Sequence, residues 1–324
     1  QITSGILHKG GAIIGSSLNS NVFNYKVIED GKEVYKDLSE TCVQNLKNDG
    51  IDCLFTLGGD STQKSARDLY LKGINTIGVP KTIDNDVACT DVTFGYNTAV
   101  SVATEALDRL HTTAETHNRI MVLEVMGRYA GWIALESAIS GGADVALIPE
   151  IPYDINKAAA AINKRKENGK RFSVVVVSEG AHPINAEQTT HAAEGIDNKA
   201  GISVKFGGEG NRVAKQLKEL TGLDSRCTIL GYMQRGGTPT AFEGTFDGAG
   251  NTISGLKFTK IDHDYSYLGL FGSIKNATIK NLVLEADEVS GQDKIGLLAG
   301  SVEGNSTIYG VQGSGVMPER LLEK

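Results

Sequence analysis

The 324 residues leave room for two domains of ordinary size, and 40% hydrophobic with 22% charged residues is the composition of a globular chain. A formal net charge of -7 excludes a general nucleic-acid binder, which needs a basic face for the phosphates. The longest apolar stretches, such as Val174–Val177, are far too short to cross a bilayer.

Up to about residue 242 short apolar runs alternate with helical periodicity. Ile51–Leu57 reads as a buried strand ending in Gly58-Gly59-Asp60, and Ser61–Leu71 as a helix with Ala66, Leu69 and Tyr70 on one face. Thr76–Val79 is a short strand stopped by Pro80. Ala99–Leu110 follows as a helix, Arg119–Val125 as a strand with the turn Met126-Gly127-Arg128 behind it, and Trp132–Ile139 as a helix with Trp132 in the core. Ala146–Ile148 is a strand, Ile155–Lys166 a helix, Phe172–Ser178 a strand and Asn211–Leu220 a helix. Strands alternating with helices predict a parallel sheet covered on both faces, with ligands beyond the carboxyl ends of its strands. His111 and His117 read as solvated or capping, and Lys164-Arg165-Lys166 as a solvated helix end. The cysteines Cys42, Cys53, Cys89 and Cys227 fall in no ligand spacing and the histidines do not cluster near them, so free thiols in a reducing cytosol are expected.

After Phe242 the grammar changes. Residues 243–324 hold 13 glycines and no cysteine. Thr252-Ile253-Ser254-Gly255-Leu256 recurs as Thr278-Ile279-Lys280-Asn281-Leu282 and again as Thr307-Ile308-Tyr309-Gly310-Val311, while Gly269-Leu270-Phe271-Gly272 recurs as Gly296-Leu297-Leu298-Ala299-Gly300. Such a period, in short apolar strands with glycine turns, predicts stacked β-coils, a small all-β solenoid-like segment. With Phe246-Asp247-Gly248 opening the first unit, it resembles the GLUG-type glycine-rich repeats of bacterial surface proteins. That resemblance implies a structural or adhesive role, and no catalytic constellation is visible in it.

Four polar clusters fall where strands end. Gly58-Gly59-Asp60-Ser61-Thr62 lies between a strand and a helix, where glycines admit phosphate and helix N–H groups face it; Asp60 is suited to a divalent cation bridging phosphate oxygens. Pro80-Lys81-Thr82-Ile83-Asp84-Asn85-Asp86 sets two carboxylates side by side, which is costly unless a cation shares them, and a carboxylate can take the proton of a hydroxyl attacking a phosphoryl group. Arg119 and Met126-Gly127-Arg128-Tyr129-Ala130-Gly131 put guanidiniums at both ends of one strand. Arg226 with Leu230-Gly231-Tyr232-Met233-Gln234-Arg235-Gly236-Gly237 suits a sugar-phosphate clamp.

In this order the strings PKTIDND, MGRYAG and LGYMQRGGTP resemble the phosphofructokinase family over residues 1–242, about three quarters of the chain. The resemblance implies a three-layer parallel-sheet α/β core, incomplete here, and Mg²⁺-dependent phosphorylation of the 1-hydroxyl of fructose 6-phosphate in the cytoplasm, as in glycolysis. Asp84 would take the hydroxyl proton, Thr82 contact the transferring phosphate and Arg128 stabilise it. Asp60 and Asp86 would hold Mg²⁺, and Gly59, Asp60, Ser61, Thr62 and Lys81 would bind the donor phosphates. Met126, Gly127, Glu179, Tyr232 and Arg235 would bind the sugar phosphate, while Arg119 and Arg226 would reach a neighbour's 6-phosphate in a homo-oligomer, a dimer or tetramer. No nucleic-acid or membrane partner is implied.

The chain departs from the family pattern in three places. It opens at Gln1, so the family's first strand and glycine turn are expected upstream, and Leu18-Asn19 stand where an arginine is common. After Gly58-Gly59-Asp60 stands Ser61, small and neutral, which favours ATP as donor and leaves pyrophosphate as the alternative. The resemblance stops at Thr240-Ala241-Phe242 without a linker, which predicts an artificial join at Glu243 and low turnover or solubility for this chain. A surface protein in which the repeats are the working part is the alternative of another class.

Overall fold

The computed structural model describes residues 10–13, 15–16, 21–184, 207–241, 244–258, 266–289 and 293–315. Leu18-Asn19 and the Phe242–Glu243 junction lie outside the described residues. The chain divides into two compact units, one within Ile14–Gly236 and the other mostly within Gly237–Lys324.

The first unit opens with an antiparallel hairpin, β1 (Tyr25–Glu29) and β2 (Lys32–Lys36), which sequence reasoning passed over. Its two-residue turn is Asp30-Gly31, both at positive φ, the conformation that matches the twist of paired strands. Helix α1 (Ser39–Asn48) follows, with Asp37 accepting from the Ser39 amide at 2.8 Å. Next come β3 (Leu54–Gly58), α2 (Asp60–Leu71), β4 (Thr76–Thr82) and the two-residue β5 (Phe94–Gly95), which pair in parallel in the order β3-β4-β5. Two expectations are corrected here. Pro80 does not stop β4: its missing N–H falls opposite Gly58, the last residue of β3, and pairing passes to β5 at Lys81. The strand through Leu57 is not buried on both faces, because Phe55 and Leu57 alternate outward and are each 61% exposed.

The larger sheet runs β7 (Val145–Leu147), β8 (Ser173–Ser178), β6 (Ile120–Val125) and β9 (Ser225–Ile229) side by side, all parallel. Every residue of β6 and β8 is buried. Met121, Leu123, Val125, Val174 and Val176 pack on one side against α3 (Tyr96–His117) and α4 (Trp132–Ser140). Ile120, Val122, Val175 and Val177 pack on the other against α5 (Ile155–Glu167) and α6 (Glu209–Thr221). Here the prediction of a doubly covered parallel sheet holds, and the continuous apolar runs have their physical cause in burial on both faces. Each fully buried Leu, Ile or Val in these layers stabilises by about 1.5–3 kcal/mol.

Three side chains sit otherwise than expected. Trp132 is 49% exposed, because it begins α4 and the interior positions of that turn are taken by Ile133 and Ala134. His111 is half-buried, its Nε2 at 2.7 Å from the Gly141 carbonyl oxygen, and ties α3 to the end of α4. Arg165 is no free helix end: it pairs with Asp144 at 2.9 Å.

The second unit is a stack of parallel strands. β10 (Thr245–Phe258), β13 (Thr278–Val289) and β16 (Thr307–Gly315) form one sheet, β12 (Phe271–Lys275) pairs with β15 (Ala299–Glu303), and β11 (Ser266–Leu268) pairs with β14 (Asp293–Ile295). Successive turns stacking in parallel are the β-coils predicted from the repeat. The last two copies keep the expected phase, with Thr278 on Thr307 and Ile279 on Ile308. The first does not: Thr245-Phe246 pairs with Thr278-Ile279, and Thr252-Ile253 with Val283-Leu284. Phe246 fills the position that stacks on the buried Ile279, edge-on to Phe271 at 5.4 Å and packed in the cluster with Ile274, so residue identity concealed the phase. Among the described residues no helix is long and apolar enough to cross a membrane.

Candidate functional site

The polar clusters of the first unit sit at the carboxyl ends of parallel strands: Gly58-Gly59 ends β3, Thr82 ends β4, Met126 follows β6 and Glu179 follows β8. Gly59 brings the first two together, since a Cβ there would stand 3.3 Å from Thr82 Cβ. Asp60 opens α2, so its carboxylate lies at the positive end of the helix dipole, and Lys64 one turn on pairs with it at 2.7 Å. Ser61 and Thr62 occupy the same first turn, and Lys81 points to solvent.

The loop after β4 is shaped by its own side chains. Thr82 Oγ1 donates to Asp84 Oδ2 at 3.2 Å and accepts from the Asp84 amide at 3.2 Å. Asn85 adopts positive φ, and its Oδ1 accepts from the Thr93 amide at 2.9 Å, while Thr93 Oγ1 donates to the Thr82 carbonyl at 2.8 Å. The loop thereby holds Asp84 partly buried. Burial raises its carboxyl above the ordinary value and the Asp86 charge adds to this; the Thr82 hydroxyl, Arg128 and Arg235 pull the other way. Asp86 is raised too, by burial first and then by the charge of Asp60, with Arg128 and Lys64 opposing. Three carboxylates and two guanidiniums from four separate segments therefore act on one another.

Arg128 sits at φ 52 behind Gly127 at φ 138, in a turn closed by the Ala130 amide on the Gly127 carbonyl at 2.8 Å. Any Cβ on Gly127 would stand 2.4 Å from the Ala130 oxygen. The Arg128 amide donates to Glu179 Oε1 at 3.1 Å, and the Glu179 amide donates to the Val125 carbonyl at 2.8 Å. Gly180 lets the two turns touch, since its Cβ would lie 1.9 Å from the Arg128 carbonyl oxygen. Burial raises Glu179 as well, and the Asp84 charge adds to it. Arg235 ends the 3₁₀ turn Gly231–Arg235 with its guanidinium 5.5 Å from the Tyr232 ring centroid, a cation–π contact.

Arg119 and Arg226 are not part of this cluster. They stand at the amino-terminal ends of β6 and β9, where Asp224 Oδ2 takes Arg119 at 3.1 Å and Arg226 at 3.3 Å. Sequence reasoning missed Glu124, an acid buried inside the apolar run of β6. Its carboxylate accepts from the Gly208 and Gly210 amides, the latter at 2.7 Å, and so caps α6. A charge within a strand buried on both faces was itself the available signal. Glu150, accepting from the Gly131 amide at 2.7 Å, and Gln63, donating to the Gly58 and Val79 carbonyls at 3.0 Å each, offered no such signal.

Among the described residues no group of three or more potential ligands is arranged for a metal ion. Asp60 and Asp86 fit Mg²⁺ by their chemistry: the Asp60 charge raises the proton affinity of Asp86, a hard cation between them would relieve that repulsion, and Mg²⁺ takes one or two carboxylates and completes its shell with water and phosphate.

Comparison with known proteins agrees with this geometry. The family described as Phosphofructokinase matches residues 1–249, seven residues past Phe242. The chain is 51% identical over 273 residues to ATP-dependent 6-phosphofructokinase 2 of Clostridium perfringens, covering 84% of this chain and 72% of that one. It is 46% identical over 239 residues to the ATP-dependent 6-phosphofructokinase of Spirochaeta thermophila, covering 74% of this chain and 64% of that one. Among solved structures, the phosphofructokinase from Saccharomyces cerevisiae superposes with a TM-score of 0.57 at 28% identity, over 73% of this chain and 31% of that one. By sequence, by fold and by the order of its polar loops, the chain belongs to the phosphofructokinase family.

Proposed function

We propose that this chain transfers the terminal phosphoryl group of ATP to the 1-hydroxyl of fructose 6-phosphate. The observation that carries the reading is the meeting of Asp84, Asp86, Arg128 and Glu179 at the strand ends, each acidic group raised by burial and by its neighbours. That is the charge pattern of a site built to share a cation and to take up a proton.

In this reading Asp84 accepts the proton as O1 bonds to the phosphorus; the bond from that phosphorus to the bridging oxygen breaks, and ADP leaves. Arg128, held by its amide on Glu179, faces the transferring group, where charge spreads over three oxygens in the transition state. Thr82 fixes Asp84 before transfer, and its single O–H is free to turn to the same phosphate once Asp84 has taken the proton. Glu179, Met126, Gly127, Tyr232 and Arg235 hold the sugar phosphate. Gly59, Asp60, Ser61, Thr62 and Lys81 take the donor phosphates at the start of α2, and the neutral Ser61 sets no carboxylate against a nucleotide. Asp60 and Asp86 would hold Mg²⁺, which supplies charge neutralisation between donor phosphates.

The names of the relatives support ATP over pyrophosphate. Arg119 and Arg226, distant from the cluster along β6 and β9, fit service to a neighbouring subunit's 6-phosphate in a homo-oligomer, and a glycolytic reaction fits the cytoplasm. The domain reading we retain is a catalytic part over 1–242 and a β-repeat part over 243–324. The binding test compares fructose 6-phosphate with fructose by calorimetry on wild type and Arg235→Ala. Saturable binding of the phosphorylated sugar alone, weakened in the variant, is expected; equal or absent binding of both would sink the assignment of the sugar site.

A further inference from the structure

We propose that Gln234 is a positioning residue that locks the two sugar-phosphate segments, Met126–Arg128 and Tyr232–Arg235, into one surface. The inference rests on the fructose 6-phosphate reading above. Its geometry is independent of it.

The ladder between β6 and β9 ends at Glu124 and Ile229, and the Leu230 amide on the Glu124 carbonyl at 3.0 Å is its last rung. Beyond that rung the chains turn apart, one into Met126-Gly127-Arg128 and the other into the 3₁₀ turn. Within that turn Tyr232 and Met233 are 76% and 73% exposed, whereas Gln234 is 1% exposed. Its side chain alone of the three points inward, leaving Tyr232 and Arg235 outward for a ligand. Gln234 Oε1 accepts from the Met126 amide at 3.3 Å, and Nε2 donates to the Gly231 carbonyl at 3.1 Å.

The chemistry of the two partners fixes the requirement. Met126 offers a donor, Gly231 offers an acceptor, and the amide between them is buried. Only a group that accepts at one atom and donates at the other satisfies both; an ionised carboxylate satisfies one and a thioether neither. A buried polar group left unpaired is costly, so loss of the amide lets the segments drift apart. The reaction-bearing Asp84 and Thr82 belong to another loop and keep their own hydrogen bonds. Arg128, although in the locked segment, keeps its amide on Glu179, so the effect should fall on sugar-phosphate affinity more than on the chemical step.

The test is steady-state kinetics on Gln234→Met, which keeps the volume without the polar atoms, and on Gln234→Glu. For Gln234→Met the KM for fructose 6-phosphate should rise about tenfold or more, with kcat within about threefold and the KM for ATP unchanged. For Gln234→Glu the neutral acid can accept and donate as the amide does. The ratio of its KM to that of the wild type should lie near one at acidic pH and climb as pH rises. An unchanged KM in Gln234→Met overturns the proposal, as does a proportional loss in kcat and both KM values with a lowered Tm, the signature of general destabilisation. If the wild type itself does not turn over fructose 6-phosphate, the functional reading has failed. The lock is then judged by hydrogen exchange at the Met126 amide: faster exchange in Gln234→Met supports it, and equal exchange overturns it.

Discussion

Replacing Asp84 by asparagine separates activity from stability in this site. Asparagine keeps the oxygen that accepts from Thr82 Oγ1 at 3.2 Å, so the loop persists, but it cannot take the proton of the 1-hydroxyl. General base catalysis contributes roughly 10²–10⁴-fold. At 1.36 kcal/mol per decade this is about 3–5 kcal/mol of transition-state stabilisation, and kcat should fall by that factor. Stability should move the other way. Burial and the Asp86 charge hold the Asp84 proton more tightly in the fold than in the unfolded chain. Ionised Asp84 therefore costs stability above its folded pKa, and the cost vanishes below the ordinary aspartate value of about 3.9, where both states are protonated. The neutral amide bears no such cost, so Asp84→Asn should melt at or above the wild-type temperature at pH 7–8, and the two curves should converge as pH falls. Initial rates under saturating substrates and thermal melts across pH 4–8 measure both. Activity within tenfold of wild type, or a lower melting temperature at neutral pH, would refute the reasoning.

Three further outcomes follow from named contacts. Ser61→Asp adds a carboxylate in the first turn of α2; it should raise the KM for ATP about tenfold, about 1.4 kcal/mol, and leave that for fructose 6-phosphate unchanged, and steady-state kinetics with both substrates checks it. Gly180→Ala forces a Cβ to 1.9 Å from the Arg128 carbonyl oxygen, so the Met126–Arg128 turn must move; a cost of about 1–3 kcal/mol by denaturant unfolding and a raised KM for the sugar phosphate are expected. Leu107→Ala, at a position with no exposure in the α3 core, should cost about 2–5 kcal/mol by the same unfolding assay while leaving both KM values intact.

How much was legible in the sequence differs by element. The doubly covered sheet announced itself in Ile120–Val125 and Ser173–Ser178, because a strand buried on both faces has no reason to alternate. The β3-β4-β5 sheet obeys the other rule, with Phe55 and Leu57 turned outward, and a short apolar run cannot tell the two cases apart. The hairpin at Asp30-Gly31 carried a readable turn signal that the larger motifs overshadowed. In the candidate site, the residues proposed to face a ligand stand in dense strings. The partners that hold the strings together were not legible, even for Gln234 inside a string: Gln63, Glu150 and Gln234 act over 16, 19 and 108 residues of sequence, and nothing local marks such a partner. The solenoid phase was misread for a similar reason, since Phe246 fills an isoleucine's place through packing that residue identity does not record.

The most direct test of the account is the formation of fructose 1,6-bisphosphate by the purified, folded chain, with fructose 6-phosphate and Mg²⁺ and with ATP or pyrophosphate supplied in parallel. The account predicts turnover with ATP that is abolished by chelating Mg²⁺ and falls roughly 10²–10⁴-fold in Asp84→Asn. Product with pyrophosphate alone would contradict the donor assignment, and no product with either donor from a cooperatively folded chain would contradict the proposed function.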